Sequence, residues 1–340
     1  MKRTILYVVL AFIVAPIFVS CYQSHKKKLD LAYALVESRP DSALALMKHI
    51  DQEGLSKEEM AKYALTYYIA QDKSGLDLDN DSLIRIAYDW YEGHQEDSLY
   101  VLCLNYMGKF YLLVDSMEQA KSCLEKAYFI SDSLHKMNVK RLVLDKLIEV
   151  EEQLAPYKAL NYAKALVKMY DSMANVTIYN KVAARLRLGE NFFYVDSLQH
   201  ALEEERKAYR MAMKAGDSNL LSYVRQNLAS TFEEIGEKDS CLYYARLAYD
   251  LNAANRFSCL LTFASAYISV DSLNQAFSLL NQAMPKTAED RYSVLYFQSQ
   301  AAMKAHDFKS AKSFSDSAYH YLEDMYRTAL QGKAAYYTSF

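Results

Sequence analysis

The chain is poor in residues that interrupt helices, with 8 glycines and 4 prolines among 340 residues. So few glycines, all dispersed, exclude a glycine-rich loop that cradles phosphate. Apolar residues make up 52% of the chain, which excludes a disordered composition and provides ample material for a core. Few breakers together with plentiful Ala, Leu, Lys, Glu and Met favour helix almost throughout.

Strong positive charge is also missing. The formal net charge is −3, and no long basic stripe interrupts the body of the chain. A nucleic-acid backbone is therefore excluded as a partner. Tyrosine, in contrast, is abundant, with 30 copies against one Trp. A Tyr ring buries apolar area while its hydroxyl reaches water, which favours half-exposed seams between helices, with binding surfaces as the alternative.

The seven histidines are scattered, and none pairs with another at the spacing that metal ligands need on a helix. The closest approach to a site, His200 with Glu203 and Glu204, is interpreted as an exposed charged face. The loop from Asp77 to Asp81 begins like a calcium loop but lacks the glycine and the bidentate glutamate, so weak calcium binding is only the alternative. With no pairing of nucleophile and base either, we predict no metal, no cofactor and no enzymatic activity.

The N-terminus has the layout of a secretory signal. Lys2 and Arg3 precede an apolar run from Ile5 to Val19, shorter than the ~20 residues of a membrane-spanning helix. The segment 18–21, FVSC, resembles a bacterial lipobox, which implies that Cys21 becomes the lipidated first residue of the mature protein. An ordinary cleavage site followed by a cysteine is the alternative. We predict a lipoprotein signal peptide over residues 1–20 and a tether over 21–28.

The tether sequence after Cys21, YQSHKKK, is basic. In lipoproteins of the Bacteroidota type, an acidic stretch at this point marks export to the cell surface. The resemblance therefore implies a bacterial envelope protein, held on the membrane by its lipid and facing the periplasm.

The rest of the chain contains a repeat of small residues. In each unit a second small residue follows the first after twelve positions, and a third follows after seven more. An aromatic residue lies three positions after the first member in four of the five units. The five sets are Gly108–Ala120–Ala127, Gly189–Ala201–Ala208, Ala229–Cys241–Ala248, Ala264–Ala276–Ala283 and Ser299–Ala311–Ala318.

This spacing predicts pairs of antiparallel helices. Seven residues are two helical turns, so the second and third members share a helix face, and small side chains let two helices approach closely. Asp-Ser pairs are expected to begin and cap the second helices. These pairs start at Asp41, Asp81, Asp115, Asp196, Asp239 and Asp271. A second group of aspartates is expected to cap the next helix pair or to bridge to it, namely Asp132, Asp171, Asp217 and Asp316. Gly216 and Gly236 are interpreted as helix stops.

The pattern resembles the tetratricopeptide repeat (TPR) over residues 29–320. The resemblance implies an all-α, right-handed α-solenoid of about seven to eight TPR-like helical hairpins, with a C-terminal capping helix over 321–340. The chain departs from the family in lacking the early tryptophan and most of the prolines between units. A generic helical-hairpin solenoid is the nearest alternative fold.

In such solenoids the first helices of successive pairs line a concave groove in which peptides bind. We therefore predict a protein or peptide partner. The candidate groove residues are those on the first helices that packing is not expected to consume, namely Asn105, Lys109, Arg187, Glu190, Tyr223, Gln226, Tyr296 and Gln300. Cysteines 103, 123, 241 and 259 are expected to be buried thiols, with a disulfide between Cys103 and Cys123 left open.

Two other functions compete with a scaffold or envelope sensor. The leader, the irregular N-terminal repeats and the Asp-Ser hairpins resemble the sensor half of TPR regulators of the Bacteroidota, in which a membrane helix and an effector domain follow. On that hypothesis this chain is a stand-alone or truncated version. The third hypothesis is a glycan-binding lipoprotein of the SusD type, although the regular spacing from Gly189 to Ala318 leaves no room there for the large insertion such proteins carry.

Overall fold

The structure is a computed structural model that describes residues 25–76, 78, 82–95, 98–134, 137–251 and 253–338, with side chains to 328. Helices connected by short turns make up these residues, and no strand occurs among them. The predicted all-helical repeat fold is confirmed. The predicted signal peptide and Cys21 lie outside the described residues.

The chain divides into two compact units, and the boundary lies after Leu147. The N-terminal unit contains α1 (25–35), α2 (Pro40–Met47), α3 (Lys57–Lys73), α4 (Ser82–Tyr91), α5 (Ser98–Leu113), α6 (Met117–Ser133) and the first part of α7 (Met137–Leu154). The C-terminal unit contains the end of α7, α8 (Pro156–Ser172), α9 (Ile178–Tyr194), α10 (Leu198–Ala215), α11 (Ser218–Ile235), α12 (Lys238–Tyr249), α13 (Arg256–Ser269), α14 (Leu273–Leu280), α15 (Ala288–Lys304) and α16 (Phe308–Thr338).

The five hairpins with the predicted small-residue spacing are α5–α6, α9–α10, α11–α12, α13–α14 and α15–α16, and the two helices of each pack against each other. In the C-terminal unit, α11 also packs against α9 and α13, and α13 against α15, so that the first helices of successive hairpins lie side by side. This arrangement brings together residues that are about one repeat apart in the chain.

The small residues occupy the helix crossings, as predicted. A Cβ added at Gly189 would lie 3.5 Å from the carbonyl oxygen of Ala201 and 3.1 Å from Cγ of Glu205. In the last hairpin, Ser299 Oγ donates a hydrogen bond to the carbonyl of Ala311, 3.0 Å away. One position differs from the prediction: Ala283 lies beyond α14, which ends at Leu280.

The predicted capping role of the Asp-Ser pairs is wrong in all five turns that the structure describes. Asp115, Asp196 and Asp271 do not cap the second helix. They lie in the turn that follows the first helix of each hairpin, with left-handed φ of 54°, 56° and 60°. Asp is one of the few L-residues that tolerate this conformation. The serine that follows occupies the N-cap position without a side-chain cap hydrogen bond. Asp41 and Asp239 lie in the first turn of their helices, where a carboxylate complements the dipole, and Asp81 lies outside the described residues.

The second group of aspartates behaves largely as predicted. Asp217 caps α11 and accepts hydrogen bonds from the amides of Asn219 and Leu220 at 2.8 and 3.0 Å. Asp132 and Asp171 bridge to the next helix through ion pairs with Lys140 at 2.5 Å and Arg185 at 2.7 Å. Asp316, however, lies inside α16. Gly216 and Gly236 end their helices with left-handed φ of 67° and 86°, which confirms their prediction as stops.

The ends of the repeat region differ from the predicted segments. Residues 25–28, assigned to the tether, belong to α1, because Leu29 and Ala32 anchor this helix in the core. The helix α16 runs without a break from Phe308 to Thr338, so the last hairpin helix and the predicted cap are parts of one helix. No helix among the described residues is long and apolar enough to cross a bilayer.

Candidate peptide-binding groove

An open groove lies between α9 and α11, the first helices of neighbouring hairpins, and contains a pocket of about 220 Å³. Three predicted residues, Arg187, Glu190 and Tyr223, line this pocket together. The other lining residues are Tyr179, Ala183, Leu186, Leu220 and Asn227. We call this surface the first-helix groove. Its apolar floor and polar rim are typical of ligand-binding clefts.

The rim is held by hydrogen bonds and ion pairs between successive first helices. Asn227 Nδ2 on α11 donates to Glu190 Oε1 on α9, 3.0 Å away. On the other side of α9, Glu152 accepts from Arg187 at 3.0 Å and from Asn191 at 2.8 Å. These contacts fix the rotamers of long side chains before any partner arrives, which lowers the entropic cost of binding.

Two aromatic rings are exposed at the groove. Tyr179 is 55% exposed and Tyr223 is 46% exposed, one on each wall. A large ring that presents an apolar face at an exposed position is a common anchor for a bound side chain, because burying it brings area out of water at little conformational cost.

Carboxylates give the groove a partly negative character. Burial raises the pKa of Glu152, while Arg187 and the hydrogen bond from Asn191 oppose that rise. Burial, together with the nearby Glu190 and Glu152, raises the pKa of Tyr194. The groove thus combines the cation of Arg187 with the carboxylate of Glu190, an arrangement suited to a partner that is polar and of mixed charge.

Gln226 belongs to the next contact along the array. Its amide Nε2 donates to Thr262 Oγ1 at 3.0 Å and also contacts Ser258 Oγ, while its Oε1 accepts from Asn255 at 3.0 Å. The side chain therefore links α11 to α13 and its preceding turn instead of facing the pocket between α9 and α11. The polar groups of Gln226 are therefore used in packing between hairpins and not at the pocket.

Tyr296 and Gln300 lie on α15, away from the pocket residues, and both are exposed. On the same helix, Lys304 donates to the carbonyl of Ile268 at 2.6 Å and pairs with Asp271 at 3.0 Å, at the end of α13. Polar contacts between first helices thus continue to the last hairpin.

In the N-terminal unit the two candidates behave differently. Lys109 on α5 forms an ion pair with Asp72 on α3, which repeats the contact between successive first helices. Asn105 is 5% exposed, and the prediction that packing leaves it accessible is wrong. The reason is that α5 packs among α3, α4 and α6, so that every residue from Tyr100 to Gly108 is buried.

The sequence prediction missed Asn227, Tyr179 and Glu152. A signal for Asn227 was present, because it precedes the small residue Ala229 by two positions, as Arg187 precedes Gly189. No comparable signal marked Glu152, which lies in the irregular stretch before the well-spaced repeats. Tyr179 lies in the first turn of α9, outside the repeat positions used for the prediction.

Nothing in the described part of the chain groups three His, Cys, Asp or Glu side chains closely enough to hold a metal ion. His200 stacks on Phe192 with ring centroids 5.1 Å apart and lies 3.0 Å from Ser197 Oγ. Cys103, Cys241 and Cys259 are buried free thiols as predicted, whereas Cys123 is a free thiol that is only half-buried. Burial raises the pKa of Cys123 to about 11. A protonated, buried thiol packs as a small apolar group.

Comparison with solved structures places the fold among TPR-like proteins. The apo form of RapI is similar with a TM-score of 0.68 and 14% identity, covering 88% of this chain and 86% of that chain. A Rap protein complexed with competence and sporulation factor has a TM-score of 0.60 and 15% identity, covering 93% and 96%. NprR in complex with its cognate peptide NprX has a TM-score of 0.58 and 14% identity, covering 85% and 86%.

No family model matches the chain, and no curated protein matches it with significance. At these low identities the structural neighbours show the fold alone. The chain therefore has a TPR-like, all-helical repeat fold, which by itself does not define a function.

Proposed function

We propose that this protein binds a protein or peptide segment in the first-helix groove and acts without catalysis, as a scaffold or envelope sensor. The observation that carries the proposal is the convergence of Tyr179 and Tyr223 with the paired polar groups of Arg187, Glu190 and Asn227 around one pocket. Two structural neighbours were solved with competence and sporulation factor or with a cognate peptide bound, which supports this use of the fold.

Recognition would combine two kinds of contact. The exposed rings of Tyr179 and Tyr223 would pack on apolar side chains of the partner. The amide of Asn227 and the carboxylate of Glu190, already oriented by their mutual hydrogen bond, would meet polar groups of the partner's backbone. Because the groove is open along the array, an extended segment could continue past the pocket.

We further propose that Cys21 carries a lipid that holds the protein on the periplasmic side of a bacterial membrane. The support for this anchor comes from the leader sequence and the FVSC segment. A repeat array tethered in this way would present its groove to partners in the envelope.

A photo-crosslinking amino acid tests the groove in living cells. Replacing Tyr223 by p-benzoylphenylalanine should give a covalent adduct with the partner after irradiation, and mass spectrometry of the adduct should identify the crosslinked segment. The matched control replaces Tyr243, which is 59% exposed but lies on α12, a second helix. That position should give no adduct of the same mass.

A synthetic peptide of the crosslinked segment then allows quantitative binding. Asn227→Ala and Tyr223→Ala should each weaken its binding about tenfold, roughly the effect of losing one well-placed contact, whereas Tyr243→Ala should leave the affinity unchanged. Equal adduct yields from positions 223 and 243, or affinities that the groove variants do not alter, would refute the proposal.

A further inference from the structure

A second groove lies on the opposite side of α9. The helix α9 packs against both α8 and α10, the second helices of neighbouring hairpins. Arg185 on α9 bridges them, donating to Asp171 on α8 at 2.7 Å and to Glu204 on α10 at 2.8 Å. We call the surface that α8, α9 and α10 form around Arg185 and Phe192 the second-helix groove.

The second-helix groove is separate from the first-helix groove. Arg185 and Phe192 are seven residues apart and so share one face of α9. Ala183, Arg187 and Glu190 line the other pocket from a different face of the same helix. Two ligands could therefore occupy the two grooves at the same time.

One end of the second-helix groove is cationic. Arg185, Lys207, Arg210 and Lys214 line a pocket of about 280 Å³ together with Met211. Arg185 and Lys207 share the carboxylate of Glu204, which Lys207 reaches at 2.5 Å. Within the described part of the chain, Arg210 and Lys214 are exposed and form no ion pair, so positive charge is in excess at this end.

The other end presents aromatic and aliphatic side chains among polar ones. Tyr157, Leu160 and Phe192 contribute to the lining of an open pocket of about 640 Å³ at the start of α8 and α10 and the end of α9. Tyr157 is 72% exposed. Lys164 lies over the Phe192 ring at 5.2 Å from its centroid, and this contact holds the ring in place from the α8 side.

The distance between the two ends follows from helix geometry. His200 lines the pocket around Phe192 and Lys214 the cationic one, and both lie on α10. At a rise of 1.5 Å per residue, this separation along the helix is about 21 Å. An extended chain covers that length with about six residues, at roughly 3.3 Å per residue.

We propose that the second-helix groove binds an acidic protein segment in extended form, with carboxylates at the end near Arg210 and Lys214. An aromatic or aliphatic side chain about six residues away would pack against Tyr157 and Phe192. Charge complementarity selects the acidic partner, because two unpaired cations face the groove of a chain whose net charge is −3.

Fluorescence anisotropy with a defined probe tests this proposal. The probe is a fluorescein-labelled octapeptide, EEEEGSFL, titrated with the full-length protein in detergent. We expect saturable binding that weakens as NaCl rises from 50 to 500 mM. The counterpart QQQQGSFL, which lacks the carboxylates, should bind at least tenfold more weakly than EEEEGSFL. The peptide EEEEGSGS, which lacks the Phe-Leu pair, should also bind more weakly than EEEEGSFL.

Protein variants locate the binding. Arg210→Glu with Lys214→Glu should weaken EEEEGSFL binding at least tenfold, and Tyr157→Ala should weaken it to a smaller extent. The matched control, Lys309→Glu with Lys312→Glu, makes the same change in charge at exposed positions of α16 and should leave binding intact. Asn227→Ala, in the first-helix groove, should also have no effect.

Several outcomes would overturn the proposal. The proposal fails if the unaltered protein does not bind EEEEGSFL. It also fails if the charge reversals on α10 and on α16 weaken peptide binding equally. If the α10 reversal lowers thermal stability without changing peptide affinity, Arg210 and Lys214 serve the dipole at the C-terminus of α10 instead. If vesicles of phosphatidylglycerol displace the probe and the α10 reversal abolishes vesicle binding, the cations contact lipid.

Discussion

The backbone N–H of Ser197 donates a hydrogen bond to the carbonyl oxygen of Phe192, 2.8 Å away, across the turn in which Asp196 adopts a φ of 56°. The same turn recurs at one position in all five well-spaced repeats. The residue with left-handed φ lies seven positions after the first small residue of the repeat. The residue whose carbonyl accepts the hydrogen bond lies three positions after that same small residue. The left-handed residues are Asp115, Asp196, Gly236, Asp271 and His306. This turn sets where each hairpin reverses.

Gly236 tests the importance of that backbone conformation. A Cβ added there would meet no atom within 4 Å, so Gly236→Ala changes only the backbone preference. Since the left-handed region costs an L-residue roughly 1–2 kcal/mol, we expect a loss of that size in the free energy of unfolding, measured by urea titration. Gly54→Ala is the control, because that glycine is equally open and has no left-handed φ. Equal effects of the two substitutions would disprove this explanation.

The crossing of α5 and α6 predicts a coupled pair. A Cβ at Gly108 would lie 2.6 Å from Cγ of Leu124, which is fully buried. Overpacking by Gly108→Ala should destabilise by about 1–3 kcal/mol, and Leu124→Ala by about 2–5 kcal/mol through the cavity it leaves. Because the new methyl group would occupy part of that cavity, the double variant should lose at least about 1 kcal/mol less than the sum. Additive losses in a double-mutant cycle of thermal unfolding would show that the two positions do not share the crossing.

Glu205 predicts a pH dependence of stability. This side chain is 1% exposed, and burial raises its pKa to about 7, against the hydrogen bond from Thr231 at 2.8 Å and with the help of nearby Glu190. The folded state therefore keeps its proton at a pH where the unfolded state has lost it, so stability falls as pH rises from the unfolded value of about 4.5 to about 7.

Over that window the loss should be about 3 kcal/mol, at 1.36 kcal/mol per unit of pKa difference. Glu205→Gln, which keeps the shape and cannot ionise, should remove this part of the slope in urea titrations at pH 5, 6 and 7. A Glu205→Gln protein with an unchanged slope would mean that Glu205 ionises freely in the folded state.

The proposed anchor is tested by fractionation. Each methylene of an acyl chain buried in the bilayer contributes about 0.8 kcal/mol, so a fully acylated Cys21 should hold the chain in the membrane fraction. Cys21→Ser should release it into the soluble fraction, as detected by immunoblotting. Cys123→Ser, which removes another thiol but leaves the leader intact, should stay with the membrane. Membrane partition of the Cys21→Ser protein would rule out anchoring by a lipid on Cys21.

Sequence reasoning located the hairpins but misassigned the chemistry of their turns. Asp and Ser favour helix N-caps and also favour left-handed turns, so the residue types alone could not distinguish the two roles of Asp196. For the groove, the repeat register correctly grouped Arg187, Glu190 and Tyr223. It also included Asn105, because nothing in the local sequence reveals that neighbouring helices enclose α5 on several sides.

Local backbone preference and side-chain volume set where each regularly spaced hairpin reverses and how closely its two helices cross, so these features could be predicted from the amino-acid sequence. Which residues meet between hairpins follows instead from the packing of the assembled helices. The contacts of Asn227 with Glu190 and of Lys109 with Asp72 each join residues about one repeat apart. They depend on how each hairpin is rotated against the next, and that rotation results from the packing of whole helix faces.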